Sequence, residues 1–319
     1  MSKVIAYTWS DSVLCGGTIV PATHVRYLNK LGFDARVYCD LSTSKDQQVL
    51  EDIAGVKFRS RAELRELREE DVLVNVWWMT IPEEHKLAPK RKIQLIQGND
   101  AAQYENVELK ENVARTRQYH GWESMAVSKY AGEWTGLKFA LVPNGVHERF
   151  LNETWRDERD IDVLIEGNDE HNKNISYAIN LAKEAGAKKI VWLGRSTHSV
   201  PGVETITNPP QEEIPAIYAR SKAFLKLSFS EGFCLPILEA MACGALVVTW
   251  PMGGNDFCVD KGNCFSSKEY QHKVMAIEAI LENHYPSASE AIRKAARRTA
   301  ESYSWDNSIK LLVAFLGEE

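Results

Sequence analysis

The sequence predicts an α/β protein with two domains, each built from a parallel sheet between layers of helices. Three observations favour this class. Short apolar runs typical of buried strands alternate with charge-rich helical stretches along the chain. The alternation is interrupted once, at Pro143-Asn144-Gly145, and then resumes. The length of 319 residues exceeds the usual size of one hydrophobic core, so two domains are expected.

The first series of elements runs from the N-terminus to about residue 145. Lys3–Trp9 is a short β-rich run, Gly16 and Gly17 follow it, and a helical stretch extends to about Leu31. A strand, a glycine loop and a helix in this order are the usual opening of an α/β domain. The charge-rich stretch RAELRELREE (61–70) resembles a helix. Further strands are predicted at Ala35–Cys39, Val72–Val76, Ile93–Ile96, Met125–Val127 and Phe139–Val142.

A second series follows the polar connection LNETWRDERD (151–160). Strands are predicted at Ile161–Ile165, Lys189–Leu193, Ala223–Leu227 and Ala245–Thr249. Helices are predicted at about Asn172–Ala185, Glu269–Leu281 and Ser287–Glu301. The final stretch, SYSWDNSIKLLVAFLGEE, predicts a helix with Ser304 as its cap. Two such series indicate two Rossmann-like domains that face a cleft.

Composition and charge narrow the range of functions. The net charge is −6, with 20 basic and 20 acidic residues in 1–150 and 18 and 24 in 151–319. No global basic field therefore exists to attract nucleic acid or an anionic membrane, although a local patch stays open. The six cysteines show no C-x-x-C pair and no zinc spacing, so reduced thiols are expected. We expect no signal peptide, no transmembrane segment and a cytoplasmic location, with peripheral membrane attachment left open.

The most informative stretch is FSEGFCLPILEAMACGALVV, in which Glu231 and Glu239 are eight positions apart. It predicts a loop that enters a buried helix, with Pro236 in the first turn. A separation of roughly 12 Å along a helix axis is too long for a paired acid and base and suits the two ends of a long ligand. The N–H groups at the predicted helix start favour a phosphate. These N–H groups belong to Gly232, Phe233, Cys234 and Leu235.

This stretch resembles the Glu–seven residues–Glu motif of retaining GT-B glycosyltransferases, family 4 in particular. The resemblance implies that Glu231 contacts the donor sugar and that Glu239 binds the ribose hydroxyls of the nucleotide. VPNGVHERF (142–150) resembles the family's interdomain linker, and YSWDNS (303–308) resembles the start of a C-terminal helix that crosses back to the first domain. The implied domains are an acceptor domain (1–145), a donor domain (146–302) and the returning helix (303–319).

The departing diphosphate of a nucleotide sugar needs positive charge or N–H dipoles, which a metal or lysine, arginine and helix N-termini can supply. Lys173 matches the lysine of the family's GR....K segment, but Asn168 stands where its arginine is expected. Gly16 and Gly17 match the family's glycine loop, which approaches the donor phosphates and the acceptor. Arg195 follows the next strand and could contact phosphate or stack on the base, or be a surface arginine.

Two further positions depart from the family pattern. Gln97 stands where a histidine often lies near the donor sugar, and Phe257 stands where the GG..E segment has its glutamate, with Asp256 beside it. The pair Asp160 and Asp162 spells the D-x-D signature of metal-dependent transferases, but it leads into a strand and is interpreted as strand entry. No metal or other cofactor is expected.

These observations favour a retaining, metal-independent glycosyltransferase that uses a nucleotide-diphosphate sugar, with UDP-sugars as the first candidates. Lys173 and Glu231 are the expected catalytic residues. A nucleotide-sugar epimerase of the same fold is an alternative, as is a non-catalytic protein that binds nucleotide sugars or glycans. The acceptor and the oligomeric state are not readable from the sequence. A glycan, a lipid, a protein, a small molecule or a modified nucleic-acid base all remain open as acceptors.

Overall fold

The structure is a computed structural model that describes residues 3–103, 106–196, 198–258 and 262–317. The chain divides into two compact units. The first consists of Met1–Pro143 with Ser308–Glu319, and the second consists of Asn144–Asn307. Each unit contains one parallel sheet, so the predicted α/β class is confirmed.

The first unit contains a seven-stranded parallel sheet with the order β3-β2-β1-β4-β5-β6-β7. Its apolar strands, such as VIAYT in β1, are buried along their whole length, as expected for a sheet covered on both faces. The strands are β1 (Val4–Thr8), β2 (Asp34–Cys39), β3 (Arg59–Ser60), β4 (Val72–Asn75), β5 (Arg91–Ile96), β6 (Glu123–Ala126) and β7 (Ala140–Leu141). The helices are α1 (Gly16–Lys30), α2 (Lys45–Ala54), α3 (Ile81–Glu84), α4 (Val107–Tyr119) and α5 (Lys129–Glu133).

The second unit contains a six-stranded parallel sheet with the order β10-β9-β8-β11-β12-β13. The strands are β8 (Ile161–Glu166), β9 (Ile190–Leu193), β10 (Val203–Ile206), β11 (Ser221–Lys226), β12 (Leu246–Thr249) and β13 (Phe265–Ser266). The helices are α6 (Glu148–Leu151), α7 (Ile175–Glu184), α8 (Ile214–Ala219), α9 (Leu235–Ala242), α10 (Tyr270–Leu281) and α11 (Pro286–Ser302). The last helix, α12 (Trp305–Leu316), begins in the second unit, and its residues from Ser308 onward belong to the first unit.

Both sheets place the first strand of their unit next to the fourth. In the second unit the chain moves outward from β8 through β9 to β10, and then returns to β11 on the other side of β8. The loops after β8 and β11 therefore diverge at one point of the sheet edge. Ligands of open α/β sheets bind at this switch point, outside the carboxyl ends of the strands. The switch point of the first unit lies between β1 and β4.

The predicted strands are present in both units, and their ends differ from the predicted ends by no more than two residues. The strands β3, β10 and β13 were not predicted. These three edge strands have two to four residues and no continuous apolar run, so their pattern is weak. The stretch RAELRELREE forms a 3-10 helix only over Arg61–Glu66. Ser60 and Glu63 form a capping box at its start, and the backbone is already extended at Leu67.

The linker after Pro143 is fixed by close packing against the start of α12. A Cβ atom on Gly145 would lie 2.4 Å from the backbone of Trp305, so only glycine fits here. Val146 N–H donates to the Tyr303 carbonyl at 2.7 Å. Ser304 accepts from Asn307 N–H at 3.4 Å, as expected for its predicted role as a cap.

The expectation of six reduced thiols is wrong for one pair, because Cys258 and Cys264 form a disulfide across a Cα–Cα distance of 6.0 Å. A separation of six residues gave no recognisable pairing signal in the sequence. Cys15, Cys39, Cys234 and Cys243 are free. Among the described residues, no helix has the length and apolar character needed to cross a membrane.

Candidate functional site

The switch point of the second sheet brings two distant loops together. β8 and β11 are neighbours, with Leu225 opposite Ile165, and the loops that follow them carry Lys173 and Glu231. Lys173 Nζ lies 2.9 Å from Glu231 Oε1 and 3.2 Å from Oε2, although 58 residues separate the two side chains. The structure therefore brings together the two residues that the sequence analysis selected for catalysis.

Asn172 joins these two loops through three hydrogen bonds. Its side-chain amide donates to the Ser230 carbonyl at 2.8 Å, and its side-chain oxygen accepts from Ser230 N–H at 3.2 Å. Its carbonyl accepts from Phe229 N–H at 2.8 Å. This double-sided attachment holds the Lys173 loop in register with the Glu231 loop, so the ion pair does not depend on its own two side chains alone.

Glu231 is surrounded by cations and donors. Besides Lys173, it faces Lys226 Nζ at 3.4 Å and accepts from Ser228 Oγ at 2.8 Å. Burial raises the pKa of Glu231. The charges of Lys226 and Lys173 and the hydrogen bonds from Lys173 and Ser228 lower this pKa by more than burial raises it. The result is a pKa below the ordinary value. Glu231 is therefore ionised at neutral pH.

The segment before α9 is held by the loop at Gly254. A Cβ atom on Gly254 would lie 2.4 Å from the Glu231 carbonyl oxygen, and φ is +61°, which favours glycine. Cys234 N–H donates to the Gly254 carbonyl at 2.9 Å, and Leu235 N–H donates to the Phe233 carbonyl at 2.9 Å. The expectation that the N–H groups of 232–235 point at a ligand is therefore wrong for Cys234 and Leu235, because both groups have acceptors inside the protein.

The other two positions of this segment differ. Phe233 N–H has no acceptor among the residues that the structure describes, and Gly232 takes part in a further interaction of its own. Pro236 lies in the first turn of α9, as predicted.

Glu239 lies in α9 and is half-buried. Burial and the nearby carboxylate of Glu166 raise its pKa. The charges of Arg149 and Lys226 and the hydrogen bond from the Tyr218 hydroxyl lower it, and the resulting pKa is about 8. Lys226 therefore influences both glutamates of the motif. In the unliganded protein at neutral pH, Glu231 is charged and Glu239 is largely protonated.

Asn168 and Arg195 lie together on the neighbouring loops after β8 and β9. Asn168 Oδ1 accepts from the Arg195 backbone N–H at 3.2 Å, and Asp169 N–H donates to the Arg195 carbonyl at 2.9 Å. The Arg195 side chain is exposed. Asn168 thus links the two loops through its amide oxygen, which a guanidinium group in its place could not do because it has no acceptor.

Gly16 and Gly17 lie in the first unit, at the beginning of α1. The Gly17 carbonyl accepts from Gln97 Nε2 at 2.8 Å, which connects the first turn of α1 to the residue after β5. Gln97, which stands in place of the family's histidine, therefore holds the start of α1 through its side-chain amide.

Phe257, at the position of the family's glutamate, belongs to the core. It is 2% exposed and packs against Phe233 and Tyr303 with ring centroids 5.6 and 5.4 Å away. Asp256 is exposed beside it. An aromatic side chain at this position completes the packing behind α9 and presents no polar group.

Asp160 and Asp162 lie at the opposite end of β8 and are engaged by cations. Asp160 pairs with Lys189 and Arg220 at 2.6 Å, and Asp162 pairs with Lys222 at 2.7 Å. Within the described ranges, no group of three or more histidine, cysteine or acidic side chains is arranged to hold a metal ion.

Three charged residues of the site were missed by the sequence analysis. Lys226 and Glu166 end β11 and β8, and each is the single charged residue in an otherwise apolar half of its strand. Arg149 is on α6, and its buried Nε has no partner among the described residues. A charged residue at the end of a buried strand was the available signal for the first two.

Known glycosyltransferases resemble this chain in sequence and in fold. Residues 201–299 match the family model described as glycosyl transferases group 1. A protein of Sulfolobus islandicus filamentous virus, provisionally named glycosyltransferase 41, is 30% identical over 146 residues, which are 39% of this chain and 44% of the viral protein. The D-inositol 3-phosphate glycosyltransferase of Salinispora tropica is 32% identical over 114 residues, 34% of this chain and 23% of that enzyme. The chain thus spans less than half the length of these two relatives.

The fold comparison covers the whole chain. Anabaena Alr3699/HepE, solved in complex with UDP and glucose, superimposes with a TM-score of 0.82 at 12% identity, over 100% of both chains. Sucrose-phosphate synthase from Thermosynechococcus elongatus gives a TM-score of 0.75 at 13% identity, over 99% of this chain and 98% of the synthase. The chain therefore has the GT-B fold of glycosyltransferases, and its residues 201–299 match the group 1 glycosyl transferases.

Proposed function

We propose that this protein is a metal-independent, retaining glycosyltransferase that transfers a sugar from a nucleotide-diphosphate sugar to an acceptor still to be identified. The observation that carries the proposal is the contact between Lys173 and Glu231 at the switch point of the second sheet, inside the region that resembles family 4. A cation and an ionised carboxylate at this position suit a ligand that has both phosphates and sugar hydroxyls.

Each side chain has a role that follows from its charge. Glu231 accepts hydrogen bonds from the hydroxyls of the donor sugar and orients the ring. Lys173 moves toward the diphosphate and stabilises the negative charge that develops on its bridging oxygen as the glycosidic bond breaks. Glu239 binds the ribose hydroxyls. Phe233 N–H adds a neutral donor, and Arg195 is the exposed cation available to the base or the phosphates.

Retention of configuration is proposed to occur by attack on the same face that the leaving group departs from. A double displacement needs a free carboxylate nucleophile close to the anomeric carbon. Glu231 is assigned to the sugar hydroxyls instead, and Lys226 and Ser228 stay on its Oε1 atom. Assistance by the leaving diphosphate is the simpler route.

UDP-sugars are the first donors to test, because a structural neighbour was solved with UDP and glucose. Gly16 and Gly17 are proposed to approach the donor phosphates and the acceptor, with Gln97 holding their loop. A cytoplasmic location belongs to the same proposal.

The test is a donor-hydrolysis screen across UDP-, GDP-, ADP- and TDP-sugars, with and without EDTA, in which the anomer of the released sugar is followed by NMR. We expect hydrolysis of one donor class with retained configuration and full activity in EDTA. Loss of activity on chelation and recovery with manganese would reverse the metal-independent assignment. Glu231→Gln, which keeps the size of the side chain, serves as the inactive control.

One observation favours a second candidate. Asn168, Gln97 and Phe257 replace the arginine, histidine and glutamate of the family pattern, as expected for a protein that binds nucleotide sugars or glycans without catalysis. Calorimetric binding of a nucleotide sugar with no turnover in the presence or absence of acceptors would support that alternative. Conversion of the donor to its epimer would instead indicate an epimerase.

A further inference from the structure

Lys226 is a buried cation to which the proposed function gives no task. It is the last residue of β11, and its side chain is 2% exposed. Its Nζ atom lies 2.5 Å from Glu166 Oε2, 3.1 Å from the Glu166 carbonyl and 3.4 Å from Glu231 Oε1. Burial of an ammonium group costs several kcal/mol unless partners compensate for the lost hydration. Lys226 therefore stays charged only because two carboxylates share it.

The same pair of strands provides an internal comparison. Lys222, four residues earlier on β11, pairs with Asp162 of β8 at 2.7 Å, but its side chain is 35% exposed and contacts one carboxylate. An ion pair between these strands thus requires neither full burial nor a second carboxylate. Burial and the contact with Glu231 are the features that distinguish Lys226.

We infer that Lys226 is a positioning residue that serves as the permanent counter-ion of Glu231, so that Lys173 can leave this carboxylate and bind the donor diphosphate. This inference rests on the proposed function. In the unliganded site Lys173 contacts both oxygens of Glu231, whose side chain is only 16% exposed. If Lys173 were the sole cation, its departure would leave a buried carboxylate without a charged partner, which is costly.

The surrounding charges support a fixed, proton-retaining role. The groups that raise the pKa of Lys226 are Glu166 on β8 and Glu231 and Cys234 before α9. Lys226 in turn lowers the pKa of Glu239 on α9. Burial lowers the pKa of Lys226, but the two carboxylates raise it by a larger amount. Its pKa therefore lies well above the ordinary value of a lysine. Lys226 therefore remains charged throughout any practical assay and acts through its position.

The experiment compares Lys226→Met with Lys226→Arg and with Lys222→Met as the matched control. Wild-type protein is first assayed for binding of UDP and for donor turnover. Lys226→Met is expected to lower kcat on the order of 10²-fold, the loss associated with a misplaced catalytic group, with a smaller change in KM. Lys226→Arg should recover most of the activity, and Lys222→Met should match the wild type.

The pH profile separates positioning from mere stabilisation. In Lys226→Met the acid limb of kcat should shift to higher pH, because Glu231 loses one of the two cations that lower its pKa and keeps Lys173 and Ser228. If Lys226→Met does not fold, Lys226→Met combined with Glu166→Gln removes the ion pair as a unit and gives the same readouts. Folded variants with wild-type kcat and a wild-type pH profile would overturn the role inferred for Lys226 and leave the proposed function standing. Wild-type protein that binds no nucleoside diphosphate would overturn the proposed function as well.

Discussion

Two glutamates occupy the same topological position in the two units, and their pKa values are shifted in opposite directions. Glu231 lies beside the switch point between β8 and β11, and Glu84 lies beside the one between β1 and β4. Glu84 accepts from Thr8 Oγ1 at 3.0 Å and from Asn75 Nδ2 at 2.8 Å, where Thr8 and Asn75 are the last residues of their strands. Burial raises the pKa of Glu84, whereas the pKa of Glu231 is lowered.

The difference comes from the cations. Glu231 faces Lys173 and the buried Lys226. Among the described residues, the cation that pairs with Glu84 is Arg61 at 3.2 Å, and Arg61 also lies within 4 Å of two exposed carboxylates, those of Asp40 and Glu83. A single shared arginine does not offset the cost of burying the charge of Glu84. Glu84 therefore joins the two strands with a raised pKa, while Glu231 keeps a lowered pKa.

The comparison predicts its largest effect at Lys173. Lys173→Ala should lower turnover by about 10²–10³-fold, the size seen when one preorganised donor is removed from a charge-stabilising site. An ammonium group near the bridging oxygen gains more in the transition state than in the ground state, and only that difference accelerates the step. Steady-state kinetics measure it, with Lys183→Ala as control because Lys183 is an exposed lysine of the neighbouring α7.

A different pattern would reassign the diphosphate contact. If Lys173→Ala raises KM and leaves kcat unchanged, Lys173 is a binding residue only. Arg195, which is exposed on the adjacent loop, then becomes the next residue to substitute.

A smaller effect is expected at Glu239. At pH 9, where the carboxylate is mostly ionised, Glu239→Ala should weaken binding of the nucleoside diphosphate roughly tenfold or more, because hydrogen bonds to a charged group contribute about 1.5–3 kcal/mol. Calorimetric titration measures it. Unchanged affinity would remove Glu239 from the site.

The pH dependence of the same titration sharpens this prediction. Since the pKa of Glu239 is about 8, its ionised form becomes dominant between pH 7 and pH 9. If ribose hydroxyls donate to the carboxylate, affinity should rise by up to about tenfold across this range. Glu239→Gln has no such group and should show only the weak titration of the ligand itself. An affinity that falls with pH would mean that the protonated carboxyl is the binding form.

The smallest effect is expected on the free energy of unfolding when Glu84 or Glu231 is replaced by glutamine. The raised pKa of Glu84 means that its contribution is fully present below the unfolded value near 4.5 and is lost as the pH rises through the folded pKa. The lowered pKa of Glu231 means that its contribution is present above the unfolded value and is lost as the pH falls through the folded pKa. At pH 8, Glu84→Gln should therefore equal or exceed the wild type in free energy of unfolding, and Glu231→Gln should be less stable.

Both differences should be within about 1–3 kcal/mol, the range for a buried polar group that loses its partner. Urea unfolding at pH 5 and pH 8 measures them. If Glu84→Gln destabilises the protein more at pH 8 than at pH 5, Glu84 is ionised in the native state and the contrast with Glu231 is wrong.

The fold was largely predictable because its signals are local. Buried parallel strands show as short apolar runs, and the helices between them show as amphipathic stretches. The short edge strands were missed because a pair of residues such as Arg59–Ser60 carries no periodic pattern. The glutamates of the second unit were found because an apolar helix start is an unusual place for acidic residues.

The sequence by itself determined the order of strands and helices, the interruption near residue 145, and the spacing of Glu231 and Glu239. Only the tertiary structure decided which charges meet. The strand order places β8 beside β11, so Lys173 reaches Glu231 across 58 residues, and Lys226 reaches Glu166 across 60. Burial then sets the charge of each group, because the cost of removing a carboxylate from water depends on how many cations the fold has placed around it.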